Sequence, residues 1–154
     1  MSIKKYKIAQ LVPHEKPMLL LDDMVAYGDD WLSAELEITP ESEFINENNA
    51  VPSLVGIEYM AQTVAAFAGK ESRENGEPVK IGFLVGTRKY MSTVSEFSIG
   101  TKLLITAERV MQGDNGLSVF QCKIEDAASG EEISNAMLNV FQPENANEFL
   151  QGNQ

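Results

Sequence analysis

A carboxylate within an apolar helix is the first candidate for chemistry in this sequence. Residues 51–70 read VPSLVGIEYMAQTVAAFAGK, and their apolar pattern predicts a helix over residues 53–69 that contains Glu58, with Gln62 one turn later. An ionised carboxylate is costly to bury, so Glu58 must be paired or partly neutral there. Because desolvation raises the pKa of a carboxyl group into the range of a general acid, Glu58 is a candidate acid.

A structural role is the alternative for Glu58. On a helix it shares one face with Leu54, Ala61, Gln62 and Ala65. A hydrogen bond to Gln62 or to a neighbouring strand would then satisfy the carboxylate. A single acid in a helix is weak evidence for catalysis, so the spacing by itself favours the structural interpretation.

Strand patterns surround this helix. Two apolar or alternating runs, residues 18–27 and 31–39, precede it, and a polar loop over residues 40–49 leads into it. The charged, turn-rich residues 70–79 are predicted to end the helix. Four further strands are predicted after it, at residues 81–91, 101–111, 117–126 and 133–142.

The order of these elements predicts the fold. A helix that is apolar on nearly every side must be surrounded by protein. A strongly curved antiparallel sheet wrapped around one helix does this, and a second copy of the sheet packed alongside extends the core. We therefore predict an α+β hotdog fold of about six strands, as a dimer, although an ordinary α+β sandwich would produce a similar pattern. One domain over residues 1–143 and a polar tail over residues 144–154 are expected.

Composition and charge narrow the function classes. The 154 residues carry a formal net charge of −11, so a broad basic face for nucleic acid is not expected. The N-terminal residues contain no apolar run, so we expect a cytoplasmic protein without a signal peptide or membrane insertion. The single cysteine, Cys122, excludes an internal disulfide and falls in a strand pattern that predicts a buried thiol. No metal ion or cofactor is expected.

Two segments resemble the 3-hydroxyacyl-[acyl-carrier-protein] dehydratases of the FabA/FabZ type. Residues 11–23, LVPHEKPMLLLDD, are similar to the N-terminal signature of that family, which is Pro-His, a second Pro, an apolar run and Asp. Residues 52–62, PSLVGIEYMAQ, are similar to the start of its central helix, where a Gln stands four residues after the catalytic acid. Within the family the chain most resembles the ApeP-like branch, a dehydratase-like subunit of aryl polyene biosynthesis.

This resemblance implies that Glu58 is the acid and that Gln62 is its polar companion. The active histidine of the family lies in a Gly-His-Phe-Pro loop just before the helix. Here the corresponding residues 44–52 read FINENNAVP, which is a shorter loop without histidine. The only histidine is His14, so either it has become the base or this subunit has lost half of its site. A turn residue that hydrogen-bonds the backbone is the alternative for His14.

The implied reaction defines the other groups that are needed. Removing water from a 3-hydroxyacyl thioester requires a base near neutral pKa for the C2 proton and an acid for the departing hydroxyl. The thioester oxygen needs donors, and the unpaired N–H groups of Ser53 and Leu54 at the helix start are candidates. Phe83, Leu84 and Val85 are candidates to line an apolar tunnel for the acyl chain, with a plain core role as the alternative.

The resemblance also implies partners. An acidic acyl carrier protein would need a local basic patch, and Arg88, Lys89 and Lys16 are the candidates. Sites of this family form at a dimer interface, with the histidine and the acid on different chains, so a homodimer or a heterodimer with a second dehydratase is expected. Three functions stay open: an active dehydratase that uses Glu58 and His14, a non-catalytic or half-site partner of a second dehydratase, and a hotdog acyl thioesterase.

Overall fold

The computed structural model describes residues 2–3, 6–12, 18–77 and 83–141, with the backbone only for residues 2–3 and 83–85. In this part of the chain the strands are β1 (Ser2–Ile3), β2 (Asp23–Tyr27), β3 (Trp31–Glu37), β4 (Ala50–Pro52), β5 (Phe83–Ser92), β6 (Glu96–Ser98), β7 (Lys102–Gln112), β8 (Leu117–Asp126) and β9 (Glu132–Phe141). The long helix α1 is Gly56–Glu74, and short 3₁₀ turns are formed by Ile8–Gln10 and Ser53–Val55.

One antiparallel sheet forms the main layer of the fold. Its strand order is β1-β2-β3-β7-β8-β9-β5, and β4 pairs with β6 in a separate small sheet. The six long strands of the main sheet are the six that the sequence predicts. Helix α1 packs against β3, β7 and β8 of this sheet. This is a hotdog fold, so the prediction of the fold class is confirmed.

Apolar side chains of the helix pack against the sheet. Met60, Val64 and Phe67 are buried, and the ring of Phe67 meets that of Phe120 edge-on, with 5.6 Å between their centroids. Cys122 is fully buried, and this burial raises the pKa of its thiol to about 12. The thiol therefore stays protonated at neutral pH. The burial of Cys122 confirms the prediction from the strand pattern.

The predicted end of the helix at residue 69 is wrong, because α1 continues to Glu74. The charged residues of this last turn are held by tertiary contacts. The ammonium of Lys70 is buried and donates to the carbonyl of Gly28 at 3.0 Å. The carboxylate of Glu71 accepts two hydrogen bonds from the guanidinium of Arg109, at 2.8 and 3.0 Å. These paired charges stabilise the last turn of the helix, although the charged sequence there predicts a solvent-exposed loop.

Other boundaries also differ from the sequence prediction. The α-helical part begins at Gly56, because residues 53–55 form a 3₁₀ turn. Strand β2 begins only at Asp23, since residues 18–20 bind a helix side chain instead of a neighbouring strand. The short strands β1, β4 and β6 were not predicted. No helix of the described ranges is long and apolar enough to cross a membrane. The predicted tail, residues 144–154, lies outside the described residues.

Candidate functional site

The buried amide of Gln62 joins the central helix to the segment before β2. Gln62 is fully buried, and its Nε2 donates to the carbonyl of Met18 at 2.7 Å and to Oε1 of Glu58 at 3.1 Å. Its Oε1 accepts the N–H of Leu20 at 2.9 Å. One side chain therefore fixes the candidate acid and the segment 18–20 together. The base candidate His14 precedes this segment and lies outside the described residues.

The carboxylate of Glu58 lies in the first turn of α1 and is half-buried. A negative charge is favourable there because the N–H dipoles of a helix start point towards it. The hydrogen bond from Gln62 is the contact that the structural interpretation predicted. The same bond also suits an acid, because it orients the carboxylate while the partial exposure leaves the site within reach of a small molecule.

The helix start offers one backbone donor near this acid. The N–H of Ser53 donates to the carbonyl of Ser95 at 2.9 Å, so it is already used. The N–H of Leu54 lies in the first 3₁₀ turn and has no acceptor among the residues that the structure describes. The side chain of Leu54 is 70% exposed, about one turn before Glu58. Of the two predicted donors, Leu54 is thus the one that is available to a ligand.

Tyr90 is a residue of this region that the sequence did not single out. It lies on β5, and its hydroxyl donates to the carbonyl of Ser53 at 2.5 Å. In the sequence Tyr90 is only one member of a predicted strand. Its partner, Ser53, is 37 residues away along the chain. No local signal could have identified this contact.

The loop before the helix is ordered by amide groups. The side-chain amides of Asn46 and Asn48 both donate to the carboxylate of Glu96 on β6. Phe44 has a left-handed backbone with φ of 70° and a side chain that is 57% exposed. The sequence resemblance implies a histidine in this loop, whereas the loop here supplies amides and an exposed ring. The loop of this chain therefore offers no imidazole as a candidate base.

A cavity of about 290 Å³ opens between this loop, the segment before β2 and the helix. Tyr59 lines it, and desolvation, followed by the nearby charge of Asp22, raises the pKa of that tyrosine. Among its other lining residues are three apolar and four acidic ones: Leu19, Leu20, Leu36, Asp22, Glu37, Glu41 and Glu43. The acidic lining makes this cavity unfavourable for an anionic ligand.

The remaining predicted residues lie on or before β5. Arg88 and Lys89 are exposed, and the next residue, Tyr90, contacts Ser53. This basic pair therefore lies close to the helix start. The side chains of Phe83, Leu84 and Val85, and all of Lys16, lie outside the described part of the structure, so the tunnel lining and the third docking residue stay predictions.

Comparisons with known proteins identify the family of the chain. Residues 6–151 match the model of the ApeP-like family, described as ApeP dehydratase. One chain of the dehydratase heterocomplex ApeI:P from Xenorhabdus doucetiae superimposes with a TM-score of 0.88 at 26% identity, covering 96% of this chain and 97% of that chain.

More distant structures share the fold alone. A hypothetical thioesterase with coenzyme A from Streptococcus pneumoniae TIGR4 has a TM-score of 0.62 at 12% identity, over 78% of this chain and 84% of that chain. The E. coli PaaI protein has a TM-score of 0.61 at 10% identity, over 77% and 81%. No curated protein matches. Because the family model spans almost the whole chain, the chain belongs to the ApeP-like dehydratase family.

Proposed function

We propose that this chain is one subunit of a 3-hydroxyacyl thioester dehydratase and that it contributes Glu58 as the acid. The observation that carries the proposal is the joint placement of Glu58, Gln62 and the Leu54 N–H at one helix start, in a chain of this family. A thioesterase would need a carboxylate that directs water, and the distant thioesterase structures support the shared fold but not that reaction.

Each group has a defined part in the proposed reaction. A base removes the proton from C2, the C2=C3 bond forms, and the C3–O bond breaks. Glu58 donates its proton to the departing hydroxyl, which leaves as water. The negative charge that develops on the thioester oxygen is stabilised by the N–H of Leu54. Gln62 holds the carboxylate in place throughout.

We propose that the base is a histidine of a second dehydratase subunit. The pre-helix loop of this chain lacks that histidine, and the ApeI:P protein from Xenorhabdus doucetiae is a heterocomplex. Strand β5 ends the sheet of the described chain, so one edge of its backbone is available to a partner strand. Met91 on β5 and Leu54 at the helix start are exposed and add apolar surface for the partner to cover.

Enoyl formation by separate and mixed subunits tests this assignment. We expect the isolated chain to convert a 3-hydroxyacyl thioester very slowly, because it lacks a loop histidine. Adding a second hotdog dehydratase subunit that carries the Gly-His-Phe-Pro loop should restore turnover, measured as enoyl thioester by mass spectrometry. In that mixture His14→Asn should change the rate little.

Two results would contradict the proposal. If the isolated chain is fully active and His14→Asn slows it as strongly as a loss of the acid, the site is a homodimer site with His14 as the base. If the product is a free acid instead of an enoyl thioester, the chain is a thioesterase.

We further propose that an acyl carrier protein docks beside β5, on Arg88 and Lys89. These are exposed basic residues next to the helix start, and the net charge of −11 otherwise repels an acidic partner. Changing both to Glu should slow turnover of a carrier-linked substrate by about tenfold or more at low salt. Turnover of a small N-acetylcysteamine thioester should barely change.

A matched control separates docking from a general charge effect. Lys102→Glu with Lys123→Glu makes the same change in net charge on exposed residues of β7 and β8. It should leave carrier-linked turnover close to that of the unmodified chain. Light scattering should show that both double variants still assemble with the partner. Equal loss on carrier-linked and small substrates would contradict carrier docking at this pair.

A further inference from the structure

Tyr90 contacts the peptide group that carries the proposed backbone donor. Its hydroxyl donates to the carbonyl of Ser53 at 2.5 Å, and the N–H of Gly56 donates to the same oxygen as part of the first turn. The carbonyl of Ser53 and the N–H of Leu54 belong to one planar peptide group. Tyr90 therefore acts on the same peptide unit that would bind the thioester oxygen.

Two uncommon features of the chain allow this contact. Strand β5 carries an irregularity in its pairing with β9 between Arg88 and Met91, and Lys89 within it has a φ of 56°. A non-glycine residue rarely adopts that conformation, and such bulges re-aim side chains. On the helix, a Cβ at Gly56 would lie only 2.6 Å from the Tyr90 hydroxyl oxygen. The bulge in β5 and the missing side chain at Gly56 of α1 thus leave space for the Tyr90 hydroxyl.

The proton of the Tyr90 hydroxyl has one close acceptor. The alternative acceptor, Oγ of Ser134, is 3.5 Å away, compared with 2.5 Å for the Ser53 carbonyl. Ser134 is fully buried and directs its own proton to Oγ of Ser92 at 2.9 Å. Burial raises the pKa of Tyr90, so its hydroxyl is protonated at neutral pH and serves as a donor.

Peptide geometry connects this hydrogen bond to the reaction. In a trans peptide the carbonyl and the N–H point in opposite directions within one plane, so a donor that holds the carbonyl of Ser53 also aims the N–H of Leu54 away from it. A hydrogen bond to the carbonyl polarises the peptide and strengthens its N–H as a donor. We propose that Tyr90 is a positioning residue that orients and polarises the Ser53–Leu54 peptide towards the thioester oxygen of the substrate. This inference rests on the proposed function.

Tyr90→Phe in the assembled complex tests the inference, because it removes the hydroxyl and keeps the ring. We expect kcat to fall by about tenfold, less than the 10²–10³ that follows loss of an oxyanion donor itself. KM should stay within about twofold, since the interaction is stronger in the transition state than in the bound substrate. A saturated butanoyl N-acetylcysteamine thioester, ¹³C-labelled at its carbonyl, should show a smaller infrared downshift in the variant than in the unmodified complex.

Two further variants keep the test decisive. Ser134→Ala removes the distant neighbour of the hydroxyl and should alter neither kcat nor the carbonyl frequency. Gly56→Ala leaves Tyr90 intact but displaces its hydroxyl, and it should reproduce the frequency change. The inference is overturned if folded Tyr90→Phe or Gly56→Ala protein keeps the carbonyl downshift of the unmodified complex. It is also overturned if Ser134→Ala loses as much of that downshift as Tyr90→Phe. Absence of both enoyl product and carbonyl downshift in the unmodified complex would overturn the proposed function as well.

Discussion

Glu58→Gln should lower the rate of enoyl formation by about 10²–10⁴ in the assembled enzyme, which is the range for loss of a general acid. The amide keeps the size and polarity of the side chain but has no acidic proton for the departing hydroxyl. Its oxygen can still accept the hydrogen bond from Gln62, which is 3.1 Å long in the unmodified protein. The fold should therefore persist, and the loss should appear in kcat measured from the enoyl thioester absorbance.

The same substitution elsewhere on the helix provides the control. Glu74 lies in the last turn of α1, where it pairs with Lys70 at 3.5 Å. Glu74→Gln makes an identical chemical change far along the helix from the proposed site, so turnover should be close to normal. If Glu58→Gln retained full enoyl formation, the structural interpretation of this carboxylate would be correct and the acid would lie elsewhere.

Gln62→Met should lower the free energy of unfolding by about 2–3 kcal/mol, because it removes hydrogen bonds from several partly buried groups at once. Methionine has a similar length and can fill the space, so the change tests the hydrogen bonds more than the packing. The N–H of Leu20 and the carbonyl of Met18 both lose their partner. The loss can be measured by urea unfolding, with the single tryptophan, Trp31, as the fluorescent probe.

Activity should fall together with stability in Gln62→Met, since the amide also holds the carboxylate of Glu58. A matched control is Gln121→Met, which alters an exposed glutamine on β8. Its side chain donates to the carbonyl of Ala136 at 3.2 Å, and its loss should cost well under 1 kcal/mol. Equal destabilisation by both substitutions would show that Gln62 is not a special link between the helix and the segment 18–20.

The sequence by itself determined the parts that depend on local periodicity. An apolar helix of this length and the alternation of the six long strands follow from spacings of a few residues, and their order predicts the hotdog fold. The hydrogen bond between Glu58 and Gln62 is likewise local, because side chains four apart meet on one helix face. The burial of Cys122 follows from the alternation within β8.

Only the tertiary structure decided the contacts between residues that are distant in the chain. The two backbone partners of Gln62, at Leu20 and Met18, are 42 and 44 residues away, and the partner of Tyr90 is 37 residues away. The contact of Glu71 with Arg109 extends the helix beyond its charged end for the same reason. Such contacts depend on which strands pair and in which register, and on a bulge whose left-handed Lys89 has no sequence signal. Local propensity carries no information about these distances, so only the folded chain shows that Leu54, and not Ser53, has the available N–H, and that Tyr90 contacts the same peptide group.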